Sequence, residues 1–145
     1  MLEDINKEDG YRVILLYHSM DDEVFTHDII EHLHHTGHTV LLPTVAGDDL
    51  ELHEYTGVSA LDTCGKYNIQ ESNGPLFTDY DSINLAIIPG VAFTEDGKRM
   101  GRGKGYYDRL LPKLSCPLWG LAFPFQMLDD IPTEPHDITL SKVYH

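Results

Sequence analysis

The sequence predicts an α/β fold: a single-domain, open, mostly parallel sheet flanked by helices, with βαβ units and a glycine-rich loop at the C-terminal end of one strand. Three observations carry this reading. Short, unbroken apolar runs recur at residues 12–17, 39–43, 84–88 and 118–123, and runs without alternation mark strands buried on both faces, as in parallel sheets. Between the first two runs, Ile29, Ile30 and Leu33 form a stripe at helical spacing. Strand, helix and strand in that order make a βαβ unit, whose strands are parallel and whose crossover is right-handed. After the third run comes a segment dense in glycine and basic residues, Gly97 to Asp108, and then a second helical stripe.

Each element has its own signal. Residues 12–17 read as a buried strand, followed by a polar segment, 18–26, that leads into the first helix. Thr26 is its expected N-cap, Asp28 stands in its first turn and Gly37 stops it. Residues 39–43 form the second buried strand, and 48–56 alternate as a half-exposed strand does. Residues 57–82, rich in Gly, Asn, Ser and Asp, read as a long connection with short elements. The strand at 84–88 is broken by Pro89 and Gly90. Residues 106–114 predict a helix with Tyr107, Leu110, Leu111 and Leu114 on one side. Residues 118–123 predict a fourth strand, and 138–143 a short last one. Trp119 and Tyr107 are assigned to the core, Tyr106 to a pocket. No repeat, low-complexity tract or linker divides residues 1–145.

Composition narrows the function classes. The chain has 145 residues, 41% hydrophobic and 23% charged, a globular balance. Its apolar runs are far shorter than the ~20 residues a membrane helix needs. The acidic start lacks an apolar signal core, which points to the cytoplasm. Cys64 and Cys116 match no metal or redox spacing and read as reduced thiols. His32, His34, His35 and His38 read as an exposed polar helix face rather than a metal site. A net charge of -14 repels nucleic acid and anionic membranes. Yet six of the ten basic residues fall between Lys98 and Lys113 (the others are Arg99, Arg102, Lys104 and Arg109). An acidic protein that gathers its cations among glycines is expected to hold a small anion there.

The loop chemistry fits that expectation. Glycines allow bare backbone and positive φ, so successive N–H groups can converge on phosphate oxygens. A following helix adds its N-terminus, and arginine offers bidentate geometry. Gly101-Arg-Gly-Lys-Gly105 is not the dinucleotide fingerprint, and no Walker loop is present. These rules define an anion-binding loop without naming its ligand. Asp108 has two readings: a Mg²⁺ carboxylate beside phosphate, or a helix-dipole carboxylate.

Ile88-Pro-Gly-Val-Ala-Phe93, followed by Gly97-x-Arg-Met-Gly-Arg-Gly-Lys-Gly-Tyr-Tyr-Asp-Arg109, closely resembles the signature of the 5-formyltetrahydrofolate cyclo-ligase family. A second element agrees: Tyr17-His-Ser-Met-Asp-Asp-Glu-Val-Phe-Thr26, then a helix, Gly37 and a strand ending in Pro43. The resemblance implies ATP- and Mg²⁺-dependent closure of 5-formyltetrahydrofolate, with or without a polyglutamate tail, to 5,10-methenyltetrahydrofolate, with release of ADP and phosphate. The formyl oxygen would attack the γ-phosphate, N10 would attack the formyl carbon, and phosphate would leave. It implies that Arg99, Met100, Gly101, Arg102, Gly103, Lys104, Gly105, Tyr106 and Tyr107 hold the ATP phosphates. Arg102 to Tyr106 would also face the folate, with Arg102, Lys104 and Tyr106 closest to the chemistry. His18 and Glu23 would line the folate pocket, Glu23 accepting from the pterin. Asp108 and Asp137 would bind Mg²⁺.

The sequence departs from the family pattern at three points. Members begin with a longer helix carrying a Lys and an Arg that reach ATP, whereas here residues 1–11 precede the first strand and contain only Lys7. The position after Phe93 is Thr94 instead of Asp, and Glu71 is followed by Ser72 instead of Pro. Two functions follow: an active cyclo-ligase, or a shortened relative that binds folate or nucleotide without turnover. A monomer or weak homodimer is expected, prone to self-association if a packing helix is lost. An RNA-binding derivative is disfavoured by the net charge and the lack of a basic tail.

Overall fold

The computed structural model describes residues 1–7, 11–57, 61–64, 69–72, 74–135 and 137–145. In chain order these form α1 (Leu2–Lys7), β1 (Val13–Leu15), α2 (His27–His35), β2 (Thr39–Ala46), β3 (Asp49–Glu54), β4 (Leu61–Cys64), β5 (Ile69–Ser72) and β6 (Leu76–Phe77). They continue with β7 (Leu85–Ile88), β8 (Ala92–Phe93), β9 (Arg99–Met100), α3 (Tyr106–Leu110), β10 (Leu118–Leu121) and β11 (Lys142–Tyr144). The main sheet has seven strands in the order β11-β10-β7-β1-β2-β3-β6. From β11 to β2 every pairing is parallel. The β2–β3 and β3–β6 pairings are antiparallel. This is the α/β arrangement expected, with an antiparallel margin that the alternating pattern of 48–56 foreshadows. No described helix is long and apolar enough to cross a membrane.

Strand alternation sends apolar side chains to both sheet faces. Ile14, Val40, Leu42, Leu85, Ile87 and Trp119 pack with Ile30 and Leu33 of α2 and Ile5 of α1. Leu15, Leu41, Ala86, Ile88 and Leu118 pack with Leu110, Leu111, Phe93 and Leu140 on the other side. Asn84 fixes the start of β1 against β7, its Oδ1 accepting from the backbone N–H groups of Arg12 (3.0 Å) and Val13 (2.8 Å).

Several expectations change in detail. The helix expected over 106–114 ends at Leu110 and tightens into a 3₁₀ turn, Leu111–Lys113. Pro112 has no N–H to continue α-helical bonding. The last strand is 142–144 rather than 138–143. Leu140 leaves the sheet line to become core, 3% exposed, with its N–H bound to the Gly97 carbonyl at 2.8 Å. The acidic N-terminus forms α1, which charge counting missed; Ile5 anchors it at 1% exposure. Thr26 holds the N-cap position, but its side chain makes no cap hydrogen bond. Its Oγ1 donates to the Tyr17 carbonyl (2.6 Å) and accepts from Ser19 N (3.0 Å). Trp119 is buried as expected. Of the histidines, His32 and His35 are exposed, while His34 packs edge-on against Tyr55. The side chains of Lys7, Cys64, Glu71 and Ser72 lie outside the described residues.

Candidate active site

The chain leaves β1 towards β2 on one side and later returns as β7 on the other. Ligands in open α/β sheets sit at such a switch point, beyond the carboxyl ends of the two strands. A cavity of about 610 Å³ opens there. Tyr17 and His18 reach it from the end of β1, Pro89 and Gly90 from the end of β7, and Glu23 from the following loop. The glycine-rich loop covers it with Arg99 and Gly101 through Asp108. Met100 lies on β9 and does not line it; its carbonyl accepts from Val91 N at 2.7 Å.

The basic cluster divides. Arg99, Arg102 and Lys104 line the cavity. Lys98 turns away to pair with Asp130 at 2.6 Å, and Arg109 pairs with Asp49 at 3.3 Å. Lys98 ends the turn of the β8–β9 hairpin while Arg99 begins β9, a separation linear spacing cannot show. Thr94 shapes that hairpin: its hydroxyl bonds Asp96 and accepts from Lys98 N at 3.0 Å. A threonine oxygen thus serves as turn acceptor where the family pattern has Asp.

Arg99 is the buried member, its side chain 8% exposed. Nε donates to the Pro89 carbonyl at 2.6 Å, and the guanidinium lies 5.2 Å from the Tyr107 ring centroid. Burial lowers its pKa, against the pull of Tyr107 and Asp108. Gly101 lies against it: a Cβ there would stand 3.0 Å from a guanidinium nitrogen. Arg102 is the exposed member and closes across the cavity to Asp22 at 2.9 and 3.0 Å. Lys104 is exposed and has no carboxylate partner among the described residues. Gly103 and Gly105 take φ of 92° and 75°, left-handed values that favour glycine. With five residues, α3 contributes N–H groups rather than a sizeable dipole.

The acidic and aromatic residues have distinct environments. The Glu23 side chain is 9% exposed; Oε1 accepts from Met20 N at 2.8 Å. Burial raises its pKa, opposed by the Met20 N–H and by Arg102. His18 stacks on His27 with centroids 3.7 Å apart, and burial with that neighbour brings it down to about 4. Tyr107, assigned to the core, is half-buried: it packs on the second core cluster and also lines the cavity. Burial pushes its phenol up. Tyr106 lines the cavity beside it, as expected.

Asp108 and Asp137 meet elsewhere. Both line a second cavity of about 90 Å³, which shares Arg99, Gly101 and Asp108 with the larger one. Asp108 Oδ1 stands 3.6 Å from the Arg99 guanidinium, and Asp137 Oδ2 accepts from Glu134 N at 2.7 Å. Among the described residues no group of three or more potential metal ligands assembles. Sequence reasoning missed Asp22 and Tyr17. Asp22 lacks any local signal for its partner 80 positions away, whereas Tyr17 is legible as the last residue of the first buried run.

Sheet order, switch-point cavity and glycine-rich loop together define an α/β protein with a cavity lined by Arg99, Arg102 and Lys104. The model of the 5-formyltetrahydrofolate cyclo-ligase family matches residues 2–145, and the chain belongs to that family of ligases. It is 29% identical to the Mus musculus 5-formyltetrahydrofolate cyclo-ligase, an alignment covering 97% of this chain and 76% of the relative. Identity to the Haemophilus influenzae 5-formyltetrahydrofolate cyclo-ligase is 33%, over 90% and 73%. The NMR structure of Aquifex aeolicus 5,10-methenyltetrahydrofolate synthetase superposes with a TM-score of 0.78 at 26% identity, over 98% of this chain and 74% of that one. The Mycoplasma pneumoniae 5,10-methenyltetrahydrofolate synthetase gives 0.73 at 25% identity, over 98% and 79%.

Proposed function

We propose that this chain closes 5-formyltetrahydrofolate to 5,10-methenyltetrahydrofolate, using ATP and Mg²⁺. The observation that carries the reading is the placement of one loop, Arg99 to Asp108, between two cavities: a large one with Glu23 and aromatic walls, and a small one with two carboxylates. The residues fit the absent groups. Arg102 and Lys104 are exposed cations beside bare glycine backbone, as a polyphosphate requires. Asp108 and Asp137 supply the one or two carboxylates that Mg²⁺ takes while keeping its waters. When bound there, ATP supplies a phosphoryl group to the formyl oxygen and Mg²⁺ offsets the phosphate charge.

The protein's own part is positioning and charge. Arg99, fixed by Pro89 and Tyr107, holds the loop between the two cavities. Arg102 exchanges Asp22 for an anionic oxygen of the reacting groups. Lys104 adds a second mobile cation. Glu23 accepts from amino and ring N–H donors of the pterin, and Tyr106 and Tyr107 supply ring surface for it. No side-chain nucleophile is required.

Incubation with 5-formyltetrahydrofolate, ATP and Mg²⁺ should develop the methenyl chromophore. Arg102→Ala should lower kcat/KM by about 100-fold or more, the scale of losing one charge-stabilising donor. Tight folate binding by calorimetry without any product would exclude turnover and leave a non-catalytic folate-binding relative. Unchanged activity and ATP binding in Arg102→Ala would overturn the site assignment.

A further inference from the structure

Tyr17 is 4% exposed, yet it lines the large cavity. Among the described residues nothing hydrogen-bonds to its hydroxyl, which opens onto the cavity rather than being sealed in the core. Its backbone is held firmly. Thr26 Oγ1 donates to the Tyr17 carbonyl at 2.6 Å and accepts from Ser19 N at 3.0 Å. Ser19 Oγ in turn accepts from Thr26 N at 3.0 Å. Both residues of this knot are buried. The phenol is therefore placed at the end of β1 by interactions that leave its hydroxyl unspent.

The hydroxyl belongs to the same corner as Glu23. Burial first, then the negative charge of Glu23, then Tyr107 push the Tyr17 phenol above the ordinary tyrosine range. It therefore keeps its proton at neutral pH. Glu23, nine-tenths buried, spends Oε1 on Met20 N, while Oε2 lies 3.9 Å from Arg102. A donor and an acceptor thus line the same cavity.

We propose that the Tyr17 hydroxyl is a specificity-determining donor that reads the acceptor next to the groups Glu23 reads. This rests on the reading that the cavity holds a reduced folate. A pterin ring presents a 2-amino group, the N3–H and the 4-oxo oxygen along one edge: two donors, then an acceptor. A carboxylate matches the donors and a protonated phenol matches the oxygen. Sites that hydrogen-bond a substrate group discriminate strongly, because an analogue lacking it leaves buried polar atoms unpaired. Tyr17 is a positioning residue here: its contact is to the ring oxygen, not to the formyl group or the transferred phosphoryl.

The test compares wild type with Tyr17→Phe on each of two ligands, 5-formyltetrahydrofolate and its 4-deoxy analogue, which carries hydrogen at C4 and no proton at N3, a change at N3 that is common to both proteins. Calorimetry should show the variant's affinity for 5-formyltetrahydrofolate falling about tenfold, the scale of one hydrogen bond to a buried group. Affinity for the analogue should stay within about twofold. KM should rise with kcat nearly unchanged, the pattern of lost uniform binding. The variant's melting temperature should not fall, since the hydroxyl has no protein partner to lose. Equal losses on both compounds, or no loss on either, would overturn the inference and leave the folate reading standing. A drop in stability with binding intact would make the hydroxyl structural and overturn it too. Failure of the wild-type chain to bind 5-formyltetrahydrofolate would overturn both.

Discussion

Arg102 carries its counterion with it. Asp22 binds it through both carboxylate oxygens, at 2.9 and 3.0 Å, with side chains 66% and 45% exposed. Exposed ion pairs contribute roughly 0–1 kcal/mol, so Asp22→Asn should leave the melting temperature nearly unchanged. It should also tighten MgATP several-fold, because Arg102 no longer exchanges partners. Calorimetry showing weaker or equal MgATP binding would mean that the two carboxylate oxygens do not compete with the ligand. His18 supplies a pH dependence. Its imidazole is held down to about 4 from an ordinary 6.5 by burial and by the stacked His27. Between those values the unfolded chain binds more protons at this site than the folded chain. Stability present above about pH 6.5 is therefore lost as the pH falls towards 4. His18→Gln should lose less stability between pH 7 and pH 5 in urea unfolding than wild type; equal losses would rule His18 out as the cause.

The β8–β9 hairpin and the 138–141 segment show how elements build the site. Gly97 has φ of 91°, and a Cβ there would stand 2.2 Å from the Leu140 carbonyl oxygen. The carbonyl of Gly97 accepts from Leu140 N at 2.8 Å, and Ser141 N donates to Leu118 O at 2.7 Å. This contact ties the stretch just beyond Asp137 to the base of the glycine-rich loop. Gly97→Ala should cost about 3 kcal/mol, combining left-handed strain with an overpacked contact. It should also weaken Mg²⁺-dependent ATP binding, since Asp137 and Asp108 line one small cavity. Denaturant unfolding with a loss below about 1 kcal/mol would show that the segment relaxes freely. Helix α3 makes a related point. Its apolar stripe was legible, but its length was set by Pro112.

At the scale of the molecule, the two core clusters flank one sheet, and α1 closes the first of them. Ile5, 1% exposed, joins a helix whose Asp4 is bonded by the Tyr144 hydroxyl, with Lys142 at 3.4 Å. The first helix and the last strand therefore hold each other. Ile5→Ala should cost about 2–4 kcal/mol, the range for emptying a core aliphatic site. Chemical denaturation would measure it, and a loss under about 1 kcal/mol would mean that α1 is docked only weakly.

What the sequence determined by itself was local and periodic. Apolar runs named the parallel strands of the core, because a strand buried on both faces has no polar side to interrupt it. Alternation at 48–56 named the half-exposed β3, and the glycine and cation pattern marked the loop that lines the cavity, whose family resemblance offered Glu23, Asp108 and Asp137 as candidates. The tertiary structure decided what depends on approach between distant residues. It split the basic cluster, leaving Arg99, Arg102 and Lys104 at the cavity and turning Lys98 and Arg109 away. It set Asp22 on Arg102, placed Asp137 on a second, smaller cavity and put Asp108 on both. It left the Tyr17 hydroxyl on the cavity lining without a partner among the described residues. Side-chain period is a property of neighbours along the chain, whereas partner choice follows from a strand order that brings residue 17 beside residue 107.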